Sequence, residues 1–149
     1  MLIALDAMGG DHAPGPIVAG AVQAVEADPV LRVVLVGDQA QVEPALAQVG
    51  GGPPHGRPPA TAGRERIEVF HCTQVVGMDE SPVEALKKKP DSSITRCWQL
   101  LRQKKVDGIV SAGNTGAMVA GGFMHRLFLK GVRRPGIAAV MPTFAVRAS

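Results

Sequence analysis

Three short segments combine glycines, which free backbone amides, with short polar side chains, the pairing that holds an anion or a developing oxyanion without a metal. They are DAMGGDHAP from Asp6 to Pro14, VVGMDESPVEALKKKPDSSI from Val75 to Ile94, and SAGNTGAMVAGG from Ser111 to Gly122. In the third, Asn114 can cap a helix while the amides of Thr115, Gly116 and Ala117 point outward, offering donors and a helix N-terminus to phosphate. Ser111 opens that loop. A capped helix after a tight turn is the plainer reading of the same residues, and the spacing leaves both open. In the first segment Gly9 and Gly10 supply amides, and Asp11 with His12 forms an acid-base or orienting pair; an Asx turn or helix cap is the structural reading of Asp11. Asp6, Asp11, His12, His71 and Asp79 are also possible metal ligands, but no HExxH-type spacing is present and no metal is expected. His71 is more simply a strand-end histidine with a satisfied hydrogen bond.

The middle segment reads as two helix starts. Ser81, Pro82 and Glu84 have capping-box spacing with Pro at the first helical position, so SPVEALKKK begins a helix that Pro90 stops. Lys87, Lys88 and Lys89 suit its C-terminal end, as a solvated face or as a docking surface for an acidic partner. Asp91 is expected to cap the next helix with Ser92 and Ser93 beside it. Ser93 joins the phosphate-binding candidates if that cap opens into the crevice of Asn114.

The elements that position these loops follow from hydrophobic periodicity. Leu2 to Asp6, Val33 to Gly37, Ile67 to Phe70, Val106 to Val110 and Ile137 to Met141 are short apolar runs of strand character. Pro16 starts a helix expected to turn Ile17, Ala21, Ala24 and Val25 inward. A second helix runs from the Asp38 cap to about Val49. Ile94, Cys97, Trp98 and Leu101 fall at i, i+3, i+4 and i+7, and Ala117 to Leu129 forms a last helix. The run from Gly50 to Gly63 holds too many prolines and glycines for a regular element and is read as a surface excursion. Strand, loop and helix alternate without an internal repeat, which predicts an α/β fold: a three-layer α/β/α sandwich around a mainly parallel sheet, with ligands beyond the carboxyl ends of the strands.

Composition narrows the class. At 149 residues and 46% hydrophobic the chain is expected to form one domain, residues 1 to 149. Sixteen Lys and Arg against thirteen Asp and Glu give a net charge of +3, compatible with phosphate or an acidic carrier but diagnostic of neither. No Tyr, one Trp and four Phe leave no interleaved aromatics for stacking bases, so nucleic acid is not an expected partner. Cys72 and Cys97 lack CxxC spacing and no secretory h-region opens the chain, so reduced thiols and a cytoplasmic location are expected. The uncharged run from Ile109 to Met124 is too short and too glycine-rich for a confident membrane span. Neither G-x-G-x-x-G in the first loop nor a Walker A pattern occurs, and no cofactor is expected.

DAMGGDHAP after an opening strand, a DSS helix start and SAGNTGA, in this order, closely resemble the phosphate acyltransferase family of phospholipid synthesis, from Leu2 to about Pro142. The resemblance implies a fold similar to phosphotransacetylases and isopropylmalate dehydrogenases. It implies a homodimeric cytosolic enzyme, peripherally associated with the membrane, that moves a fatty acyl group from acyl carrier protein to inorganic phosphate. The acyl phosphate would feed a membrane glycerol-3-phosphate acyltransferase. Gly9, Gly10, Ser93, Ser111, Thr115 and Gly116 are then the substrate-binding candidates, and His12, Asp11 and Asn114 the catalytic ones. Family members continue well beyond a segment like RRPGIAAVMPT, so the chain is expected to be an N-terminal part. A phosphotransacetylase acting on acyl-coenzyme A, and a noncatalytic phosphate-binding or dimerisation fragment, are the alternatives.

Overall fold

A computed structural model describes residues 1–49, 63–127, 131, 132, 136 and 138. The order is β1 (Leu2–Asp6), α1 (Gly15–Ala27), β2 (Arg32–Gly37), α2 (Gln39–Val49), β3 (Ile67–His71), α3 (Pro82–Lys88), α4 (Ser93–Arg102), β4 (Gly108–Val110) and α5 (Thr115–His125), with one 3-10 turn at Arg64–Arg66. The strands form one parallel sheet in the order β3-β2-β1-β4, with Ile3 opposite Val33 on one side and Gly108 on the other. The expected α/β alternation is therefore present, with the chain building outward from β1 to β3 and returning to place β4 on the free side of β1.

Because side chains alternate across a strand, β2 feeds both faces of the sheet. Val33 and Leu35 pack with Val18, Ala21, Val22 and Val25 of α1 and with Val42 and Leu46 of α2. Val34 and Val36 pack on the opposite face with Ala4, Cys97 and Leu100, so α4 covers that side. A third cluster joins Ala85 and Leu86 of α3 to Ile94 of α4 and Ala117 of α5. The three layers are thus formed within the described residues.

Several local expectations shift. The buried stripe of α1 is Val18, Ala21, Val22 and Val25, and Ile17 and Ala24 are only partly buried. Those two line an apolar groove of about 530 Å³ with Ile3 and Val110. β4 is shorter than expected, although buried Val106 anchors its approach and Asp107 donates its amide to the Leu2 carbonyl. Ser81 makes no side-chain cap bond, and Glu84 pairs with Lys88 at 3.5 Å, so the expected capping box does not form. Asp91 does not cap α4: Ser92 is the cap residue, and Asp91 accepts from Thr73 and Arg96. α5 starts two residues earlier than expected, because Asn114 already supplies the cap. The excursion at 50–62, and all but Ala138 of the expected strand at 137–141, lie outside the described residues. Among the described residues no helix is long and apolar enough to cross a membrane.

Candidate functional site

The sheet order reverses between β1 and β4. Helices leave those two strands toward opposite faces, α1 to one side and α5 to the side of α4, and the loops beyond the strands' carboxyl ends flank a crevice. Such a switch point is where open parallel sheets take ligands. Both glycine segments that bracket the sequence reading, at Gly9 and at Ser111, end there.

Asp6 holds the two loops together. It ends an apolar strand and is 3% exposed. Its Oδ1 accepts from the Met8 amide at 3.1 Å, and its Oδ2 accepts from Ser111 Oγ at 2.7 Å. Ser111 Oγ in turn accepts from the Gly113 amide at 3.0 Å. The close approach requires glycine: a Cβ on Gly9 would lie 2.7 Å from Asp6 Oδ2, 2.8 Å from the Gly113 nitrogen and 2.9 Å from Ser111 Oγ. Gly10 has a φ of +102°, and a Cβ there would meet the Ala112 carbonyl at 3.3 Å. The structure therefore brings Gly9, Gly10 and Ser111 together, with Asp6 and Gly113 added. A charged residue closing an apolar strand is the signal in the sequence that marks Asp6, but it does not reveal the bond to Ser111.

Asn114 clamps the start of α5. Its Oδ1 accepts from the Ala117 amide at 3.0 Å, the helix cap anticipated from sequence. Its Nδ2 lies 3.2 Å from each of the carbonyls of Gly77, Met78 and Glu80. The side chain is thus occupied on both ends, and its contribution to a ligand is to fix the helix terminus. Thr115 and Gly116, the first two helical residues, have no intrahelical acceptor for their amides and are exposed. Gly116 abuts α3, where a Cβ would sit 2.6 Å from Pro82 Cγ.

The other candidates lie differently. Asp11 and His12 are exposed in the turn after Gly10, and among the described residues no hydrogen bond joins them. Ser93 is 2% exposed in the first turn of α4, its amide donating to the Gln74 carbonyl at 3.2 Å; no hydrogen bond links it to either glycine loop. His71 ends β3 and accepts from the Gln39 amide through Nδ1 at 3.2 Å. Lys89 turns back to the Val75 carbonyl and Glu80, leaving Lys87 and Lys88 as the exposed part of the basic helix end. Among the described residues no group of three His, Cys, Asp or Glu is placed to hold a metal ion.

Behind the site, Cys72 and Cys97 are free and buried. Burial, reinforced by the charge of Asp91 and then Asp6, pushes the Cys72 thiol up to about 11, and burial pushes Cys97 well above the usual thiol range. Thiols held protonated in this way are poor nucleophiles. Asp91 is held down to about 2 by hydrogen bonds from Thr73 and Arg96, which tie the β3 exit to α4.

The family model described as "Fatty acid synthesis protein" matches residues 1–148. The phosphate acyltransferase of Heliobacterium modesticaldum is 41% identical over 143 residues, covering 96% of this chain and 39% of the relative. That of Dictyoglomus turgidum is 40% identical over 143 residues, with the same coverages of 96% and 39%. That of Myxococcus xanthus is 43% identical over 142 residues, covering 95% of this chain and 37% of the relative. The chain spans about two fifths of the length of these curated relatives.

Proposed function

This chain belongs to the fatty acid synthesis protein family, and from that membership and the geometry at the switch point we propose that it is the N-terminal part of an enzyme transferring a fatty acyl group to inorganic phosphate. The observation that carries the reading is the pair of glycine loops locked together at the carboxyl ends of β1 and β4, with the open amides of Thr115 and Gly116 beside them. Relatives bearing the name phosphate acyltransferase support the same chemistry.

The donor in this proposal is the thioester of acyl carrier protein. A phosphate oxygen attacks the thioester carbonyl, the tetrahedral oxyanion collapses, the carbon–sulfur bond breaks, and the thiolate leaves to take up a proton. Phosphate is already a competent anionic nucleophile and a thiolate leaves readily, so the protein's tasks are alignment and stabilisation of negative charge. Gly10, Thr115 and Gly116 supply amides. The Gly9 amide turns back to the Asp6 carbonyl at 3.4 Å, so Gly9 serves mainly through its lack of a side chain. Asn114 holds the α5 terminus in place. His12, exposed at the crevice loop with Asp11 next to it, orients phosphate or passes a proton to the leaving group. The buried cysteines take no part, and no covalent enzyme intermediate is needed.

A homodimer, peripheral contact with the membrane, and delivery of acyl phosphate to a membrane glycerol-3-phosphate acyltransferase complete the proposal. The donor is tested by comparing carrier-protein and coenzyme A thioesters of the same acyl chain. Faster turnover with coenzyme A would make the protein a phosphotransacetylase instead. Unchanged phosphate-dependent turnover in both His12→Ala and Asn114→Ala would remove the assignment of the site.

A further inference from the structure

An apolar groove of about 710 Å³ opens at the start of α5 and runs along that helix, lined there by Thr115, Gly116, Val119, Ala120, Phe123 and Met124 and walled at its mouth by α3. Its polarity is graded. The hydroxyls of Ser81 and Thr115 and the open amides of Thr115 and Gly116 lie at one end, and the side chains beyond, Val119, Ala120, Phe123 and Met124, are apolar. No charged residue occurs between Thr115 and Met124, and Phe123 is 45% and Met124 48% exposed, so the groove side of the helix is apolar throughout. The opposite face of α5 is occupied: a Cβ on Gly121 would lie 2.3 Å from the Trp98 ring, so close packing on α4 fixes which side of the helix faces out.

We propose that this groove holds the acyl chain of the substrate, with the reacting carbonyl at the Thr115–Gly116 end and the methylene tail lying along α5 toward Met124. The inference rests on the acyl-transfer reading above. An amphiphile with an anionic or ester head and a linear alkyl tail matches the gradient: the head meets helix-terminal amides and the tail meets only apolar side chains. The distance suits a chain rather than a short acyl group, since nine helical steps from Thr115 to Met124 cover roughly 13 Å. The groove shares Thr115 and Gly116 with the proposed anion site, so head and tail are bound by one continuous surface. Gly116 keeps the mouth narrow by packing directly on Pro82.

The test is calorimetric binding of inorganic phosphate and of alkyl phosphates of increasing length to the chain and to two variants, Ala120→Trp and Met124→Trp. Each methylene buried in the groove is expected to tighten binding about fourfold until the groove is filled. Ala120→Trp blocks the middle and Met124→Trp the far end, so both should leave inorganic phosphate unchanged while ending the gain at different lengths, the shorter for Ala120→Trp. Met124 is exposed enough that its variant does not challenge folding. A length series that is flat, or that both variants leave intact, overturns the groove. Failure to bind inorganic phosphate with the length dependence preserved would uphold the groove and overturn the anion site. Loss of a dimer in sedimentation by Ala120→Trp, with no change in the length series, would show that a second copy covers this face and overturn the proposal.

Discussion

Ser111 Oγ donates to Asp6 Oδ2 over 2.7 Å, joining residues 105 positions apart at the ends of neighbouring parallel strands. This bond ties together the two loops that flank the crevice. Ser111→Ala removes the donor and leaves a carboxylate oxygen buried without its partner, a change expected to cost about 2 kcal/mol. Gly9→Ala forces a methyl group against the same atoms and is expected to cost about 2 to 3 kcal/mol by overpacking while opening the loops. Urea unfolding measures both, and phosphate titration should show binding lost in Gly9→Ala.

Asn114 combines a helix cap with a clamp on the 77–80 segment, and two substitutions separate these parts. Asn114→Ala loses both, about 2 kcal/mol in all. Asn114→Asp retains the cap but sets an oxygen against three carbonyls at 3.2 Å. The clamp is expected to outweigh the cap, so the Asp variant should be at least as unstable as the Ala variant in the same unfolding assay. Near-native stability of Asn114→Asp would assign the whole effect to the cap.

Acid should loosen the join between β3 and α4. Hydrogen bonds from Thr73 and Arg96 hold the folded Asp91 carboxyl at about 2, below its ordinary 3.8. The folded form therefore binds the proton less readily than the unfolded chain. The contribution is complete above about pH 4 and is lost as the pH falls through about 2. Asp38 and Glu80 are lowered too, by hydrogen bonds from Gln41 and Lys89 respectively, and act in the same direction. Thermal midpoints measured across this range should fall with acid, and Asp91→Asn should make the fall shallower while lowering the midpoint near neutrality.

Buried, protonated thiols predict slow chemistry. Cys72 and Cys97 should react with a thiol reagent at neutral pH only as fast as the fold opens, and both at once on unfolding. Rapid stoichiometric labelling of either in the folded chain would contradict the placement of both side chains in the core beneath β2.

Much of this arrangement was legible in the residues themselves. Leu2 to Asp6 reads as a strand because four apolar residues precede a charged one, and β1 has those bounds. The alternation of strand and helix was enough for a parallel sheet, and Asn114 announced its cap. What periodicity could not give is contact between distant segments. Asp6 and Ser111 are adjacent only because β4 returns beside β1, and nothing local to either residue states that pairing. The type of Asp91 favours a cap, but a threonine and an arginine brought near by tertiary packing take its oxygens instead. Ser93 follows two residues of types that favour caps, yet the helix's first turn buries it. The small residues of α5 suggest packing all round, and the exposed strip shows only as apolar pairs four apart with no charge between them.

The central claim is most directly tested by free-thiol release from a long-chain acyl carrier protein, with and without phosphate, hydroxylamine trapping the acyl phosphate formed. The account predicts release that requires phosphate, a trapped acyl product equal to the thiol released, and loss of both in Gly9→Ala. Release that is independent of phosphate, or unaltered by Gly9→Ala, would contradict it.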